Sequence, residues 1–270
     1  MKKAVVITGC STGIGYSLAL NLNKEYKVIA TVRSFDDIAK FKKLKIECYK
    51  LDLADKDCVK DTTQIILKKN PNIYALINNG AYGQAGALLD ISREVLEEQF
   101  ATNVFGTHQL TNLFIPNLIK QKNARIIYIS SVLGFVCAPF RGSYNSSKFA
   151  LEGLAQTLRL ELAHTNIKVS TIQPGPIESK FRENAYQSFK DNVDLGKSVY
   201  QDKYQVMTKR LESNKPSKWT LPPEAVLKTV NHALNDNPKN HYRVTLPTKI
   251  IWLLQRFLPS KIIDKLLIKQ

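Results

Sequence analysis

The sequence predicts an α/β protein built on a doubly wound parallel sheet of about seven strands, with helices on both faces. Short apolar runs alternate along the chain with segments of helical period, which is typical of βαβ units. A Gly-rich turn directly follows the first apolar run. The chain has 270 residues, 44% of them apolar and 23% charged, and this is enough to form a core without disulfides or metals.

The elements follow in order from their patterns. Residues 4–7 are a continuous apolar run and predict a buried strand, and Ile14, Leu18 and Leu22 recur at the spacing of a helix face. The same reasoning predicts further strands at 28–32, 46–51, 74–77, 125–129, 168–172 and 242–246. It predicts further helices at 35–44, 55–69, 92–120, 144–163 and 222–233. Parallel βαβ units place a ligand site at the carboxyl ends of the strands.

Residues 176–222 interrupt the alternation with a polar stretch that contains several aromatic residues. A long insertion after a sheet strand is expected to act as a lid over the site. The alternative is an ordinary pair of surface helices.

The C-terminal segment, residues 249–268, has a basic amphipathic pattern. Apolar residues recur at helical spacing, Pro259 interrupts them, and lysines and arginines outnumber one acid. The segment is too short and too charged to span a bilayer. It is expected either to lie on a membrane surface or to pack on the protein's own body or a partner subunit.

The net charge is +16, yet the lysines are scattered and are not interleaved with aromatic residues, so we expect no nucleic-acid function. The apolar run that follows Met1-Lys2-Lys3 is shorter than a signal peptide requires. The four cysteines show neither metal-ligand nor CxxC spacing, so we expect reduced thiols, no metal site and a cytoplasmic protein. They are Cys10, Cys48, Cys58 and Cys137.

The turn Thr8-Gly9-Cys10-Ser11-Thr12-Gly13-Ile14-Gly15 joins the first strand to the first helix. Its glycines permit a tight turn and let backbone N–H groups approach a pyrophosphate at the helix N-terminus. Arg33 lies 18 residues after Gly15, and no acid occupies positions 31–34. An arginine there favours a ribose 2′-phosphate over a free 2′-hydroxyl, unless it is only a surface residue.

Tyr144 and Lys148 lie four residues apart on one face of a predicted helix. A nearby ammonium stabilises a phenolate, so the pair is suited to proton transfer. Ser131, at the end of the preceding strand, is expected at the same edge of the sheet. Asn103 lies within a predicted helix, where an isolated asparagine is commonly a satisfied core residue.

These motifs together resemble the short-chain dehydrogenase/reductase family, and more loosely its hydroxysteroid- and retinol-dehydrogenase-like members. The resemblance covers Lys3 to Pro176 and, more loosely, the chain to Leu246. Its marks are the Gly-rich turn, Asp52, Asn78-Asn79-Gly80-Ala81, Asn103, Ser131, Tyr144-x-x-x-Lys148 and Pro174-Gly175. It implies a Rossmann fold and a single dinucleotide-binding catalytic domain over residues 1–270.

The resemblance also implies a role for each matching residue. The catalytic residues would be Asn103, Ser131, Tyr144 and Lys148. The cofactor would be bound by Gly9, Ser11, Thr12, Gly13, Ile14, Gly15, Asp52, Leu53, Asn79, Ala81, Pro174, Gly175, Ile177 and Ser179, together with Tyr144, Lys148 and the Arg33 identified above. Two departures stand out: the family's usual Asn-Asn-Ala-Gly is Asn78-Asn79-Gly80-Ala81 here, and Ser179 replaces the usual threonine.

The function that follows is the interconversion of a lipophilic secondary alcohol and its carbonyl by hydride transfer, with NADP(H) preferred over NAD(H). The expected partners are a small lipophilic carbonyl or alcohol and further copies of the chain. A non-catalytic dinucleotide-binding sensor is the alternative, but it would have no use for the tyrosine, lysine and serine. The sequence names neither the substrate nor the physiological direction.

Overall fold

The computed structural model describes residues 2–212 and 218–268. Seven strands in these residues form one parallel sheet, in the order β3-β2-β1-β4-β5-β6-β7. Their bounds are β1 Ala4–Ile7, β2 Lys27–Val32, β3 Glu47–Lys50, β4 Ile73–Asn78, β5 Ala124–Ile129, β6 Ile167–Gln173 and β7 His241–Arg243. The predicted doubly wound fold is confirmed, because chain order reverses direction between β1 and β4.

Helices cover both faces of the sheet. Their bounds are α1 Gly13–Leu22, α2 Phe35–Lys43, α3 Lys56–Lys69, α4 Arg93–Phe100, α5 Thr107–Leu118, α6 Gly142–Glu161, α7 Phe181–Asn192, α8 Gln201–Glu212, α9 Glu224–Leu234, α10 Leu246–Phe257 and α11 Ser260–Ile268. On one face Leu18, Phe41 and Val230 of α1, α2 and α9 join the core. On the other, α3, α5 and α6 form the second core layer, with Phe114 and Leu151 among its members.

Two predicted elements differ from the structure. The last strand ends at Arg243, and Leu246 begins α10, because the Thr245 side chain accepts a hydrogen bond from the Thr248 N–H and so caps that helix. The predicted helix 92–120 is divided into α4 and α5 by a π-helical turn over Ala101–Gly106. Such turns inside helices are frequent at functional sites.

The interrupting stretch contains α7 and α8, whereas residues 213–217 of the predicted lid lie outside the described part of the chain. A small separate core joins these helices to the loop after β4. Phe189 and Tyr204 pack against Ala85 and Ala87, and the Tyr204 hydroxyl accepts a hydrogen bond 2.8 Å long from the Ala87 N–H. The pair of helices is therefore anchored near the junction of α7 and α8.

The C-terminal segment folds as α10 and α11, and one side of α10 packs on the body. Trp252 lies between Arg243 and Arg256, at 3.7 and 4.3 Å from ring centroid to guanidinium carbon. The Gln255 side chain donates to the Phe135 carbonyl at 2.9 Å. Among the described residues, no helix combines the length and apolar character needed to cross a membrane.

Candidate active site

The Gly-rich turn lies at the carboxyl end of β1, as the sequence predicts. Gly9 and Gly13 have φ values of +66° and +57°, which side chains rarely tolerate. A Cβ on Gly9 would lie 2.6 Å from the Gly80 Cα, and one on Gly13 would lie 2.9 Å from the Ser179 Cβ. The Thr12 side chain does not cap α1. The first N–H groups of that helix are therefore available to an anionic ligand.

The ends of β1 and β4 are joined by side-chain hydrogen bonds. The Thr8 hydroxyl accepts from the N–H groups of Asn79 and Gly80, at 2.9 and 2.8 Å. The Asn79 amide donates in return to the carbonyls of Thr8 and Gly9, at 2.9 and 3.0 Å. Gly80 thus sits directly against Gly9. A Cβ on Gly80 would lie 2.9 Å from the Leu53 Cδ1 and 3.2 Å from the Thr8 hydroxyl oxygen, which explains the glycine at this position of the Asn-Asn-Gly-Ala motif.

The residues that follow β2 and β3 line the same edge. Arg33 is exposed, and Asp37 on α2 forms an ion pair of 2.5 Å with Lys40. Lys40, followed by the Ser11 hydroxyl and Lys180, lowers the pKa of Asp37. Asp37 therefore faces the Gly-rich turn, but its charge is offset by cations.

Asp52 and Leu53 lie just beyond β3. One Asp52 carboxylate oxygen accepts a hydrogen bond 3.0 Å long from the Ala54 N–H. Leu53 is buried, and its Cδ1 would lie 2.9 Å from a Cβ on Gly80. Ala81, the last residue of the Asn-Asn-Gly-Ala motif, is half-buried.

Tyr144, Lys148 and Ser131 come together where β5 and α6 meet. Ser131 follows β5, and its hydroxyl accepts from the Leu133 N–H at 3.1 Å. The Lys148 ammonium lies 5.7 Å from the Tyr144 ring centroid and donates to the Ile129 carbonyl at 3.0 Å. All three side chains are at least nine-tenths buried. The structure therefore brings together the three polar groups that the sequence predicts in one place.

Burial dominates the electrostatics of this cluster. It raises the pKa of Tyr144 to about 12, and the Ser131 hydroxyl and the charge of Arg141 oppose that rise. The sequence predicts the opposite direction, but desolvation of the phenolate outweighs the Ser131 hydroxyl and the charge of Arg141. Burial also lowers the pKa of Lys148 to about 8, against the charge of Glu152. At neutral pH Tyr144 is thus a proton donor and Lys148 is an ammonium.

Asn103 lies in the π-helical turn between α4 and α5 and is 1% exposed. Its amide nitrogen donates to the Tyr82 carbonyl and the Ser147 hydroxyl, both at 3.0 Å, and its oxygen accepts from the Tyr82 N–H at 3.2 Å. The side chain therefore fixes the loop after β4 against α6. It reaches the cluster through Ser147 rather than contacting Lys148 itself.

The segment after β6 crosses the site. Pro174 is buried, and a Cβ on Gly175 would lie 2.2 Å from the Thr245 hydroxyl oxygen. Ile177 pairs with Leu221 in an isolated β-bridge. Ser179 then lies against Gly13 and accepts a hydrogen bond 3.3 Å long from the Phe181 N–H.

Sequence reasoning missed two side chains at the site. The centroid of the Phe181 ring lies 5.1 Å from that of the Tyr144 ring, and a Cβ on Gly83 would lie 2.4 Å from the Phe181 Cζ. The Tyr82 hydroxyl is buried without a hydrogen-bond partner, and the positive charge of Arg33 acts on it. No strand or helix period marks either residue, because Tyr82 lies in the loop after β4 and Phe181 is the first residue of α7. The described residues contain no group of side chains suited to a metal ion.

Comparison with known proteins agrees with this geometry. The profile of the short chain dehydrogenase family matches residues 3–189. The chain is 37% identical to the uncharacterized oxidoreductase YbbO of Escherichia coli strain K12 over 270 residues, covering 99% of this chain and 94% of that protein. It is 33% identical to human retinol dehydrogenase 8 over 190 residues, covering 66% and 60%.

Among solved structures, ElxO with bound NADP superposes with a TM-score of 0.73 at 25% sequence identity, covering 90% of this chain and 97% of that one. Fold, profile and relatives therefore agree. The chain is an oxidoreductase and belongs to the short-chain dehydrogenase/reductase family, with retinol-dehydrogenase-like relatives.

Proposed function

We propose that this enzyme interconverts lipophilic secondary alcohols and their carbonyls, with NADP(H) as the hydride carrier and Tyr144 as the proton donor or acceptor. The observation that supports this most is the meeting of Tyr144, Ser131 and Lys148 within the strand edge that also holds the Gly-rich turn. A sensor would not need buried, proton-transferring groups beside its nucleotide site.

The residues of the site fit a dinucleotide. The uncapped amides of α1 suit a pyrophosphate, and the unpartnered Tyr82 hydroxyl leaves a hydrogen bond for a ligand. The residues proposed to bind the cofactor are Gly9, Ser11, Thr12, Gly13, Ile14, Gly15, Arg33, Asp52, Leu53, Asn79, Ala81, Tyr144, Lys148, Pro174, Gly175, Ile177 and Ser179. When bound, NADP(H) supplies or accepts the hydride.

The preference for NADP(H) rests on charge. Arg33 is exposed at the end of β2, where a ribose 2′-phosphate would lie in a fold of this type. Asp36 and Asp37 would repel that phosphate, but Lys40 pairs with Asp37, and Lys180 also acts on Asp37. The proposal is that Arg33, Lys40 and Lys180 together outweigh the two acids.

Proton transfer is assigned to Tyr144. Its raised pKa keeps the phenol protonated at neutral pH, ready to donate to a carbonyl oxygen. Ser131 has a hydroxyl at the same place, which can donate to that oxygen as negative charge develops. Lys148, as an ammonium, stabilises the phenolate that forms, and Asn103 holds the adjoining loop on α6.

The aromatic surroundings favour an apolar substrate. The Phe181 ring lies 5.1 Å from the Tyr144 ring, centroid to centroid, and a Cβ on Gly83 would lie 2.4 Å from the Phe181 ring. We assign residues 176–222 as a lid that is held by Tyr204 near the junction of α7 and α8 and that places Ser179 and Phe181 at the site. The name of retinol dehydrogenase 8 points the same way.

Contacts between copies of the chain and a cytoplasmic location also belong to the proposal. Phe105, Phe149 and Leu160 are 61%, 42% and 67% exposed next to or on the long helices, and we assign them to contacts between copies of the chain. Light scattering of a Phe149→Asp variant tests this, and an unchanged mass would contradict it. All four cysteines are free thiols, in keeping with a cytoplasmic location.

The exposed side of α10 is assigned to a membrane surface. Leu246, Ile250, Leu253 and Phe257 are each about half exposed or more, on the side away from the Trp252 packing. Lysines and arginines flank this apolar face, as anionic lipid requires. We expect Ile250→Asp to reduce sedimentation with anionic vesicles, and Ile65→Asp on α3 to leave it unchanged, since the two isoleucines are 48% and 47% exposed. Wild-type protein that stays in the supernatant at low salt would refute the assignment.

The central test is turnover of a panel of ketones and aldehydes with NADPH, in the wild type and in Tyr144→Phe. We expect more than a tenfold loss of kcat, about 1.4 kcal/mol or more, with NADPH binding retained. Tyr26→Phe, at the opposite edge of the sheet, is the control and should keep full activity. A Tyr144→Phe enzyme that keeps more than about a tenth of the wild-type kcat would refute the role of Tyr144.

A further inference from the structure

Glu152 lies on α6 one turn after Lys148 and two turns after Tyr144, so the three residues share one side of the helix. Its side chain is 14% exposed. A Cβ on Gly134, in the turn after Ser131, would lie 3.0 Å from the Glu152 Cγ. A carboxylate is thus held inside the protein, one helical turn beyond Lys148 on the side of α6 that carries Tyr144 and Lys148.

The Glu152 carboxylate is tied to the end of β6. The Thr171 hydroxyl donates to one oxygen at 3.1 Å, and the Gln173 amide donates to the other at 2.9 Å. The His241 Nδ1 lies 2.9 Å from the Thr171 hydroxyl oxygen. Because that hydroxyl has one proton and donates it to Glu152, the His241 Nδ1 is the donor in the second contact.

Titratable and charged groups face this carboxylate from several elements. Lys148 precedes it on α6, and His241 and Arg243 come from β7. Arg159, further along α6, acts on His241. Burial lowers the pKa of His241, with Glu152 opposing this and the two arginines adding to it. His241 is therefore neutral at pH 7, and Glu152 supplies negative charge among fixed cations.

We propose that Glu152 is a positioning residue, which keeps Lys148 protonated from one helical turn away and locks that turn to the carboxyl end of β6. The proposal for Glu152 rests on the proposed function in one respect: the proposed function explains why the enzyme needs a charged Lys148. The Lys148 ammonium donates to the Ile129 carbonyl inside the protein, where desolvation favours loss of its proton. Glu152 opposes that loss. Its hydrogen bonds to Thr171 and Gln173 also hold α6 in register with Pro174.

The test measures the protonation of Lys148 in the protein without cofactor. The Cε resonance of ¹³C-labelled lysine reports this, and Lys148→Arg assigns the signal. We expect the Lys148 titration midpoint to fall by about one pH unit in Glu152→Gln. Glu152→Met removes the same charge with an apolar side chain of similar size, so it should give the same shift and remains informative where the glutamine variant fails to fold.

Glu161→Gln, which removes an exposed charge from the same helix, is the matched control and should leave the midpoint unchanged. Glu152→Asp keeps the charge and should restore most of the wild-type midpoint. A purely structural role would lower the melting temperature of the variants without moving the Lys148 midpoint, and that result would overturn the proposal.

NADPH binding by fluorescence, measured over the same pH range, separates the two proposals. We expect affinity to fall as Lys148 loses its proton, and to fall at lower pH in Glu152→Gln. A shifted Lys148 midpoint in a protein that binds no nicotinamide nucleotide would refute the proposed function and leave the role of Glu152 standing. An unshifted Lys148 midpoint in an enzyme that is active would refute the role of Glu152 and leave the proposed function standing.

Discussion

Replacement of Lys148 by methionine is expected to stabilise the fold at neutral pH while it removes activity. Lys148 is 2% exposed, and burial lowers its pKa from 10.5 to about 8. The folded protein therefore holds an ammonium that would be better solvated in the unfolded chain. Methionine has a similar length and no charge, so it fills the same space without that cost.

The size of the effect follows from the pKa. A fall of about 2.5 pH units corresponds to about 3 kcal/mol of unfolding free energy, at about 1.4 kcal/mol per unit. The substitution also removes the 3.0 Å hydrogen bond to the Ile129 carbonyl, which costs about 1–2 kcal/mol. The net gain expected at pH 7 is thus about 1–2 kcal/mol.

The gain depends on pH in a defined direction. Below about pH 8 both folded and unfolded wild-type chains hold the proton, and the full cost is present. Between about pH 8 and pH 10.5 the unfolded chain binds a proton that the folded chain has released, so wild-type stability rises with pH. The advantage of Lys148→Met therefore shrinks across that range and disappears above it.

Urea unfolding of the cofactor-free proteins at pH 7 and at about pH 10.5, followed by circular dichroism, measures this difference. Lys60→Met, which removes an exposed charge from α3, is the control and should change stability by less than about 0.5 kcal/mol at either pH. A Lys148→Met variant less stable than wild type at pH 7, or a difference that does not change with pH, would show that Lys148 is not strained by burial.

Three other outcomes are expected. Arg33→Asp should shift cofactor preference in kcat/KM from NADPH towards NADH, because it removes a cation beside the proposed 2′-phosphate; equal kcat/KM for both cofactors in the wild type would contradict this. Gly9→Ala should lower Tm and abolish NADPH binding, since its φ of +66° alone costs about 1–2 kcal/mol and its Cβ would meet the Gly80 backbone; near-normal binding by titration would show that the turn adapts. Carbonyl reduction should fall and alcohol oxidation should rise between neutral and alkaline pH, because the raised pKa of Tyr144 favours the protonated phenol at neutral pH; parallel pH profiles in the two directions would exclude Tyr144 as the titrating group.

Local pattern was enough to predict the fold. Strands buried on both faces appear as continuous apolar runs, such as residues 4–7 and 125–129, and their alternation with helices leaves few topologies. The Gly-rich turn was also predictable from the sequence, because the positive φ values at Gly9 and Gly13 favour glycine at these positions directly. The parallel sheet predicted Ser131 at the strand ends, and the four-residue spacing on the following helix placed Tyr144 and Lys148 together.

Tertiary structure decided the energetics of the site. The sequence predicts that Lys148 lowers the pKa of Tyr144, but a pKa depends on burial, which is a property of the folded surroundings. Likewise Phe181 contacts Tyr144, the Tyr82 backbone bonds to Asn103, and the Glu152 carboxylate bonds to the end of β6. These contacts join residues far apart in the sequence, so no local spacing reveals them. Local sequence determines which groups lie at the strand ends. Long-range packing determines how far those groups are buried from solvent and which charges surround them.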